Sequence, residues 1–342
     1  MTRSDTATGL TAADDHEDPK HMELVTKKRL EVYAGRSHEP LASEIAGHLG
    51  VTLGRPNLRE FANGEIHCRY EESIRGADVF IIQTHCAPVN DSLMEQCIMI
   101  DAAKRASAKR ITAVVPYYGY SRQDRKAEGR EPISAKLVAN MIKVAGANRI
   151  VSVDLHSGQI QGFFDGPVDH LQAMPVLEAY LERECGGDVV VVSPDTGRVK
   201  TGERLAQHID ADLASVYKQR SRGVVEARGV MGDVRGRRCV LVDDMIDTAS
   251  TIVAAADILM ENGATDVWAM ATHGVLSDPA TDRLKNASAI SRVVVTNTLP
   301  LPPEKQIDKI EVLSVAKIIA DAIDAVFEDT SVSEIFGGQN QS

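Results

Sequence analysis

Eight short apolar runs recur along the chain: Leu30–Tyr33, Val79–Gln83, Ile111–Val115, Ile150–Val153, Val189–Val192, Val240–Val242, Val267–Met270 and Val293–Val295. They are rich in β-branched residues and almost uninterrupted by polar ones. A strand that faces water on one side alternates apolar and polar positions, whereas a strand covered on both faces does not. Between many of the runs lie stretches with helical spacing, such as Leu93 to Ala106, Ala135 to Ala145 and Thr251 to Met260. Buried strands that alternate with helices predict βαβ units and mostly parallel sheets, an α/β fold. Composition agrees, because 43% hydrophobic but only 4% aromatic residues call for an aliphatic, alanine-rich core.

A length of 342 residues suggests two domains, and a faint internal repeat suggests that they are related. Gly146-Ala-Asn-Arg-Ile150 and Gly263-Ala-Thr-Asp-Val267 each lead through an apolar run to a histidine, His156 and His273, ten residues after the glycine. In each, glycine is placed to end a helix, where positive φ is useful, directly before a strand. The boundary is expected near residues 165–175, around Gly166-Pro167, which gives halves 27–170 and 171–330. Residues 1–26 hold too few large apolar side chains to offset ordering entropy and read as a disordered tail. Residues 331–342 read as a C-terminal tail.

A formal charge of −11 argues against a general nucleic-acid binder, since phosphate backbones are held by Lys and Arg. Five cysteines without a CxxC pair suit reduced thiols better than a disulfide framework. The first residues lack the apolar segment of a signal peptide, and no apolar run approaches the roughly 20 residues of a membrane helix. A soluble cytoplasmic protein is expected. GxxxxGK[ST], HExxH, GxSxG and a strand-linked GxGxxG are all missing from the sequence.

In open parallel sheets, ligands sit at the carboxyl ends of strands, so the loops after the apolar runs carry the functional argument. After Cys239–Val242 come Asp243 and Asp244, then Asp247, Thr248, Ala249, Ser250 and Thr251, where a helix begins. The free N–H groups and dipole of a helix start favour an anion, and the hydroxyls add donors. Adjacent carboxylates suit the vicinal hydroxyls of a sugar. Together these features describe a sugar-phosphate cradle, although an acidic turn with a simple N-cap would look similar in isolation.

This loop resembles the phosphoribosyl-diphosphate-binding loop of type I phosphoribosyltransferases, and most closely that of the ribose-phosphate pyrophosphokinases. The resemblance extends over nearly the whole chain after residue 28. It implies two tandem type I phosphoribosyltransferase-like domains, and ribose 5-phosphate held by Asp243, Asp244, Asp247, Thr248, Ala249, Ser250 and Thr251. Phe61, Asn63, Gly64 and Glu65 resemble the family's adenine-binding hairpin, which in relatives reaches a neighbouring subunit. By itself, Asn-Gly between short strands is a hairpin turn. The run Pro116 to Lys126 concentrates cations beside an amide, and the resemblance assigns Arg122 and Gln123 to ATP. His156 in Asp154-Leu-His-Ser157 matches the Mg–ATP site, and Asp195 in Ser193-Pro-Asp-Thr-Gly-Arg198 matches the metal-linked position of the pyrophosphate loop. Lys218 and Arg220 match the catalytic cations of a flexible loop running to about Gly236, and Arg220 also matches a ribose-5-phosphate contact. Asn63, Arg198 and Gln219 depart from the commonest family residues, as does Gly223-Val-Val225 from a proline-containing continuation.

The activity so implied is transfer of the pyrophosphoryl group of Mg–ATP to the anomeric hydroxyl of ribose 5-phosphate, giving 5-phosphoribosyl 1-diphosphate and AMP. Mg²⁺ is the implied cofactor. No residue stands out as a general base. The resemblance also implies a homo-oligomer, commonly a hexamer, with phosphate and ADP as effectors near Arg75, Gln161 and Ser331–Phe336. Two rival readings share part of the pattern. A phosphoribosyltransferase would keep the Asp243–Thr251 cradle but does not account for Arg122-Gln123, Lys218 and Arg220. A non-catalytic regulatory subunit sits poorly with His156, Asp195 and both cations in place.

Overall fold

Seven strands come from the first part of the chain: β1 (Leu30–Ala34), β2 (Asn57–Glu60), β3 (Ile66–Arg69), β4 (Asp78–Ile82), β5 (Arg110–Val115), β6 (Arg149–Val153) and β7 (Val168–Leu171). β1, β4, β5, β6 and β7 form a five-stranded sheet in that order, and every neighbouring pair is parallel. β2 and β3 stand apart as an antiparallel hairpin. The structure is a computed structural model and describes residues 28–186, 188–194, 199–221 and 224–336. The expected tail at 1–26 lies outside these residues, as do Asp195, Arg198 and positions 337–342.

The second sheet has seven strands: β8 (Val189–Ser193), β9 (Asp212–Ser221), β10 (Val224–Met231), β11 (Arg238–Ile246), β12 (Asp266–Gly274), β13 (Ile290–Thr296) and β14 (Ile310–Leu313). Their order is β10-β9-β8-β11-β12-β13-β14, parallel except for the β9–β10 pair at one edge. The eight predicted runs lie in parallel strands of the two sheets, apart from Gln83 just beyond β4.

Both sheets are covered on both faces, which is why their strands read as continuous apolar runs. On one face of the first sheet Val32, Phe80, Ile82, Val114 and Val151 pack against α1 (Glu39–Leu49). On the other, Val79, Ile81, Ala113, Val115 and Ile150 meet α2 (Val89–Arg105) and α3 (Ser134–Ala145). In the second sheet Val191, Val240, Trp268, Met270 and Val294 face α4 (Met174–Cys185) and α5 (Val199–His208). Their alternates Val190, Leu241, Ala269 and Val293 face α6 (Ser250–Glu261) and α7 (Ala280–Asn286).

Gly146 follows α3 at φ 132° and Gly263 follows the α6 C-cap at φ 91°, each leading directly into a strand, as the repeat predicts. β7 lies beyond Gly166-Pro167 yet pairs with β6, so the first sheet continues to Leu171. α8 (Ala316–Phe327) then returns from the second sheet to the first, where Ile319, Ala322 and Ile323 pack with Val32, Leu41 and Phe80. The hydrophobic packing therefore crosses the expected division at residues 170 and 171. No helix among the described residues is long and apolar enough to cross a membrane.

Candidate active site

The carboxyl ends of the two sheets meet, and a polar seam joins them. Beyond β4, the Thr84 hydroxyl donates to the Thr298 carbonyl beyond β13 at 2.7 Å. Beyond β6, the Asp154 carboxylate accepts the Thr272 hydroxyl of β12 at 2.6 Å. The Tyr117 and His273 rings stand edge to face across the seam, 5.0 Å apart. Buried polar groups need partners, and these residues supply them across the two halves.

The predicted cradle occupies one side of this seam. β11 extends past both carboxylates to Ile246, further than the Val240–Val242 run. The Asp244 backbone N–H donates to Asp243 Oδ1 at 2.8 Å. Ala249, at the N-cap of α6, is left-handed at φ 59° and makes no side-chain cap. The first N–H groups of α6 consequently have no capping side chain to satisfy them, which is the condition for anion binding at a helix start. Thr248 Oγ1 and Ser250 Oγ lie 3.2 Å apart, and Arg283 donates to the Thr248 carbonyl at 2.8 Å.

Two contacts carry the first half of the chain onto this loop. His156 Nδ1 lies 2.6 Å from Asp244 Oδ2, and Arg122 donates to Asp247 Oδ2 at 2.6 Å. Burial raises the Asp247 carboxyl, but the Ser277 hydroxyl and the Arg122 and Lys305 charges outweigh it and leave it below its ordinary value. Gln123 accepts the Ser134 hydroxyl at 2.6 Å, which fixes its carbonyl end.

A cavity of about 1250 Å³ opens beside the seam, with Arg36, His85, Tyr117, Arg122, Gln123 and Lys305 among its lining. Arg36 is gripped by the buried Glu95 carboxylate, with its Nε 2.5 Å from Oε2, and pairs with Glu60 at 2.9 Å. His85 is fully buried; its Nδ1 accepts the Gly119 N–H at 3.0 Å and its Nε2 meets Gln96 at 2.9 Å. Burial, opposed by Gln96, lowers its pKa to about 4.

The remaining candidates are placed differently. Phe61, Asn63, Gly64 and Glu65 form the exposed tip of the β2–β3 hairpin, with the Phe61 N–H on the Glu65 carbonyl at 2.8 Å. Among the described residues no hydrogen bond or ion pair joins this tip to Arg122 or Gln123. Lys218 and Arg220 lie in β9, opposite Arg228 and Val225 of β10. The segment expected as a flexible loop is thus largely an antiparallel ribbon, consistent with β-branched Val224 and Val225 in place of a proline. The Lys218, Gln219 and Arg220 side chains lie outside the described residues. Gln161 bonds within its own chain, to the Gly158 carbonyl at 3.1 Å.

Sequence reading missed Arg36, His85, Thr272 and Lys305, and took His273 only as a marker of the repeat. The available signal was position, because Thr84-His85 directly follows one apolar run and Thr272-His273 follows another after a single alanine.

Two parallel sheets with opposed carboxyl ends, and an acidic strand leading to an uncapped helix start, define an α/β enzyme built from phosphoribosyltransferase-like domains and acting on phosphorylated substrates. Residues 30–146 match the N-terminal domain of ribose phosphate pyrophosphokinase, and residues 207–337 match the phosphoribosyl synthetase-associated domain. A ribose-phosphate pyrophosphokinase of Streptomyces avermitilis is 56% identical over 317 residues, covering 92% of this chain and 98% of the relative. One from Caldanaerobacter subterraneus is 54% identical over 309 residues, covering 90% and 98%. The crystal structure of phosphoribosylpyrophosphate synthetase from Mycobacterium smegmatis superimposes with a TM-score of 0.84 at 53% identity, covering 88% of this chain and all of that one. The chain belongs to the ribose-phosphate pyrophosphokinase family.

Proposed function

We propose that this enzyme transfers the pyrophosphoryl group of ATP to the anomeric hydroxyl of ribose 5-phosphate, releasing AMP and 5-phosphoribosyl 1-diphosphate. The observation that carries the assignment to this site is the Arg122–Asp247 contact at 2.6 Å, which sets the candidate ATP run against the candidate ribose-phosphate loop. The 5-phosphate lies on Asp247, Thr248, Ala249, Ser250 and Thr251, and the ring hydroxyls meet Asp243 and Asp244. Arg122 and Gln123 take ATP, with Phe61, Asn63, Gly64 and Glu65 of the hairpin on the adenine side. The anomeric oxygen then attacks the β-phosphorus in line and AMP departs. Such transfers depend on positioning and on offsetting phosphate charge. Lys218 and Arg220 supply positive charge to the transferred group, and Arg220 also contacts the sugar phosphate.

The donor chemistry at the β11 end is compatible with Mg²⁺, which prefers carboxylate, phosphate and water oxygens. Among the described residues no three metal-ligating side chains cluster, so substrate and water oxygens would complete the coordination. His156 and Asp195 would hold the ion, with His156 oriented by its Nδ1 contact with Asp244. Bound Mg²⁺ offsets phosphate charge. The halves 27–170 and 171–330 act as the two phosphoribosyltransferase-like domains. Self-association to a hexamer, phosphate and ADP effects near Arg75, Gln161 and Ser331–Phe336, and a cytoplasmic location complete the proposal.

The test incubates purified protein with Mg–ATP and ribose 5-phosphate in phosphate buffer and separates the nucleotides. Sugar-dependent AMP is expected. Sugar-dependent ADP would mean ordinary phosphoryl transfer and would overturn the assignment.

A further inference from the structure

We propose that Thr272 is a positioning residue for His156 and acts on it through Asp154, an inference that rests on the reading of His156 as part of the Mg–ATP site. Asp154 is left-handed at φ 38°, a conformation that L residues rarely hold without support. It is held at four points, one of them its own N–H on the Leu171 carbonyl at 2.9 Å. Its Oδ2 accepts the Thr272 hydroxyl at 2.6 Å and the Ala173 N–H at 3.0 Å, and its carbonyl lies 3.0 Å from His273 Nε2. A carbonyl only accepts, so His273 carries its proton on Nε2. His273 Nδ1 therefore accepts the Thr298 hydroxyl at 2.9 Å.

Thr272 and His273 are 3% and 2% exposed, and both belong to the second sheet. Asp154 directly follows β6, a strand of the first. Two residues further on, His156 turns back to meet Asp244 at 2.6 Å. The β12 dipeptide thus fixes the bend that aims the histidine. Metal- and phosphate-linked histidines work within narrow angular limits, and outer groups that orient such ligands typically matter about 10–100-fold. Thr272 supplies the one side-chain hydroxyl on the Asp154 carboxylate among the described residues, and in the β11–β12 ladder it stands beside Asp244, between the Asp243–Ala271 and Met245–His273 pairs.

Thr272→Val removes the hydroxyl and keeps the shape. We expect about a tenfold loss of kcat, with KM for ribose 5-phosphate within about twofold of normal. Thr272→Ser keeps the donor and should restore kcat to within about twofold. The deciding measurement is a cycle with His156→Ala, scored on kcat and on the Mg²⁺ concentration for half-maximal activity. If Thr272 acts through His156, adding Thr272→Val to His156→Ala costs nothing further. A full additional tenfold loss in that background would show that Thr272 merely supports the fold, and the inference would fall. Wild-type kcat in Thr272→Val would overturn it as well. Normal kcat in His156→Ala alone would refute the site reading and the inference with it, an outcome distinct from the other two. Melting is followed throughout. If Thr272→Val does not fold, Asp154→Asn carries the same cycle, with the same non-additivity expected.

Discussion

His156 and Asp244 lie 2.6 Å apart, Nδ1 to Oδ2, although one follows β6 of the first sheet and the other lies in β11 of the second. A carboxylate against one ring nitrogen fixes the tautomer and direction of the imidazole. Asp244→Asn keeps the shape and removes the charge. A fall in kcat of about 10–100-fold is expected, with KM for ribose 5-phosphate also raised. Initial-rate assays of AMP release check this. An unchanged kcat would place Asp244 outside the machinery.

Arg122 is the candidate ATP cation already in contact with the opposite half, through Asp247. Its planar fork can hold that carboxylate and a phosphate oxygen together, which a lysine or an amide cannot reproduce. Arg122→Gln should raise KM for ATP about tenfold, the scale of one charge-assisted hydrogen bond. KM for ribose 5-phosphate should change less. Equal changes in both constants would place Arg122 on the shared phosphate rather than on the nucleotide side.

Lys218 tests the cationic contribution to the transferred group. Removing one donor to developing charge typically costs about 10²–10³ in kcat, and Lys218→Ala should fall in that range. KM should move little, because the interaction strengthens mainly as the transfer proceeds. Near-normal turnover would remove Lys218 from the mechanism.

Much of the architecture was legible because a parallel sheet buries both faces. That leaves continuous runs such as Val189–Val192 and Val293–Val295, which nothing but a buried strand or helix accommodates. The glycine caps at Gly146 and Gly263 were legible for a local reason, since positive φ selects glycine. Asp243–Thr251 was legible because a strand end and a helix start are adjacent in sequence. The partnership of His156 with Asp244, or of Arg122 with Asp247, depends on two sheets facing each other across 88 and 125 residues. No local pattern encodes that distance. The return of α8 to the first sheet was hidden likewise, because an apolar helix does not declare which sheet it covers. The ribbon at Lys218 was masked by its polar sequence: an edge pair needs little apolar content.

His85 gives a prediction about pH and stability. It is fully buried and hydrogen-bonded as the neutral ring, and its pKa falls to about 4 from the ordinary 6.5, mainly through burial. The unfolded chain therefore binds a proton below pH 6.5 that the folded chain refuses until about pH 4. By linkage the stability from this residue is intact above 6.5 and is lost as pH falls toward 4, to a total on the order of 3 kcal/mol. His85→Gln removes the titration while leaving a side chain that can meet Gln96. It should lower Tm near neutrality, where the native ring hydrogen bonds are lost. The gap to wild type should then narrow as pH falls, because only the wild type carries the proton penalty. Melting curves of both proteins from pH 7.5 to 4.5 decide the matter: converging Tm values mean that His85 is held neutral in the fold, whereas parallel curves mean that it is not.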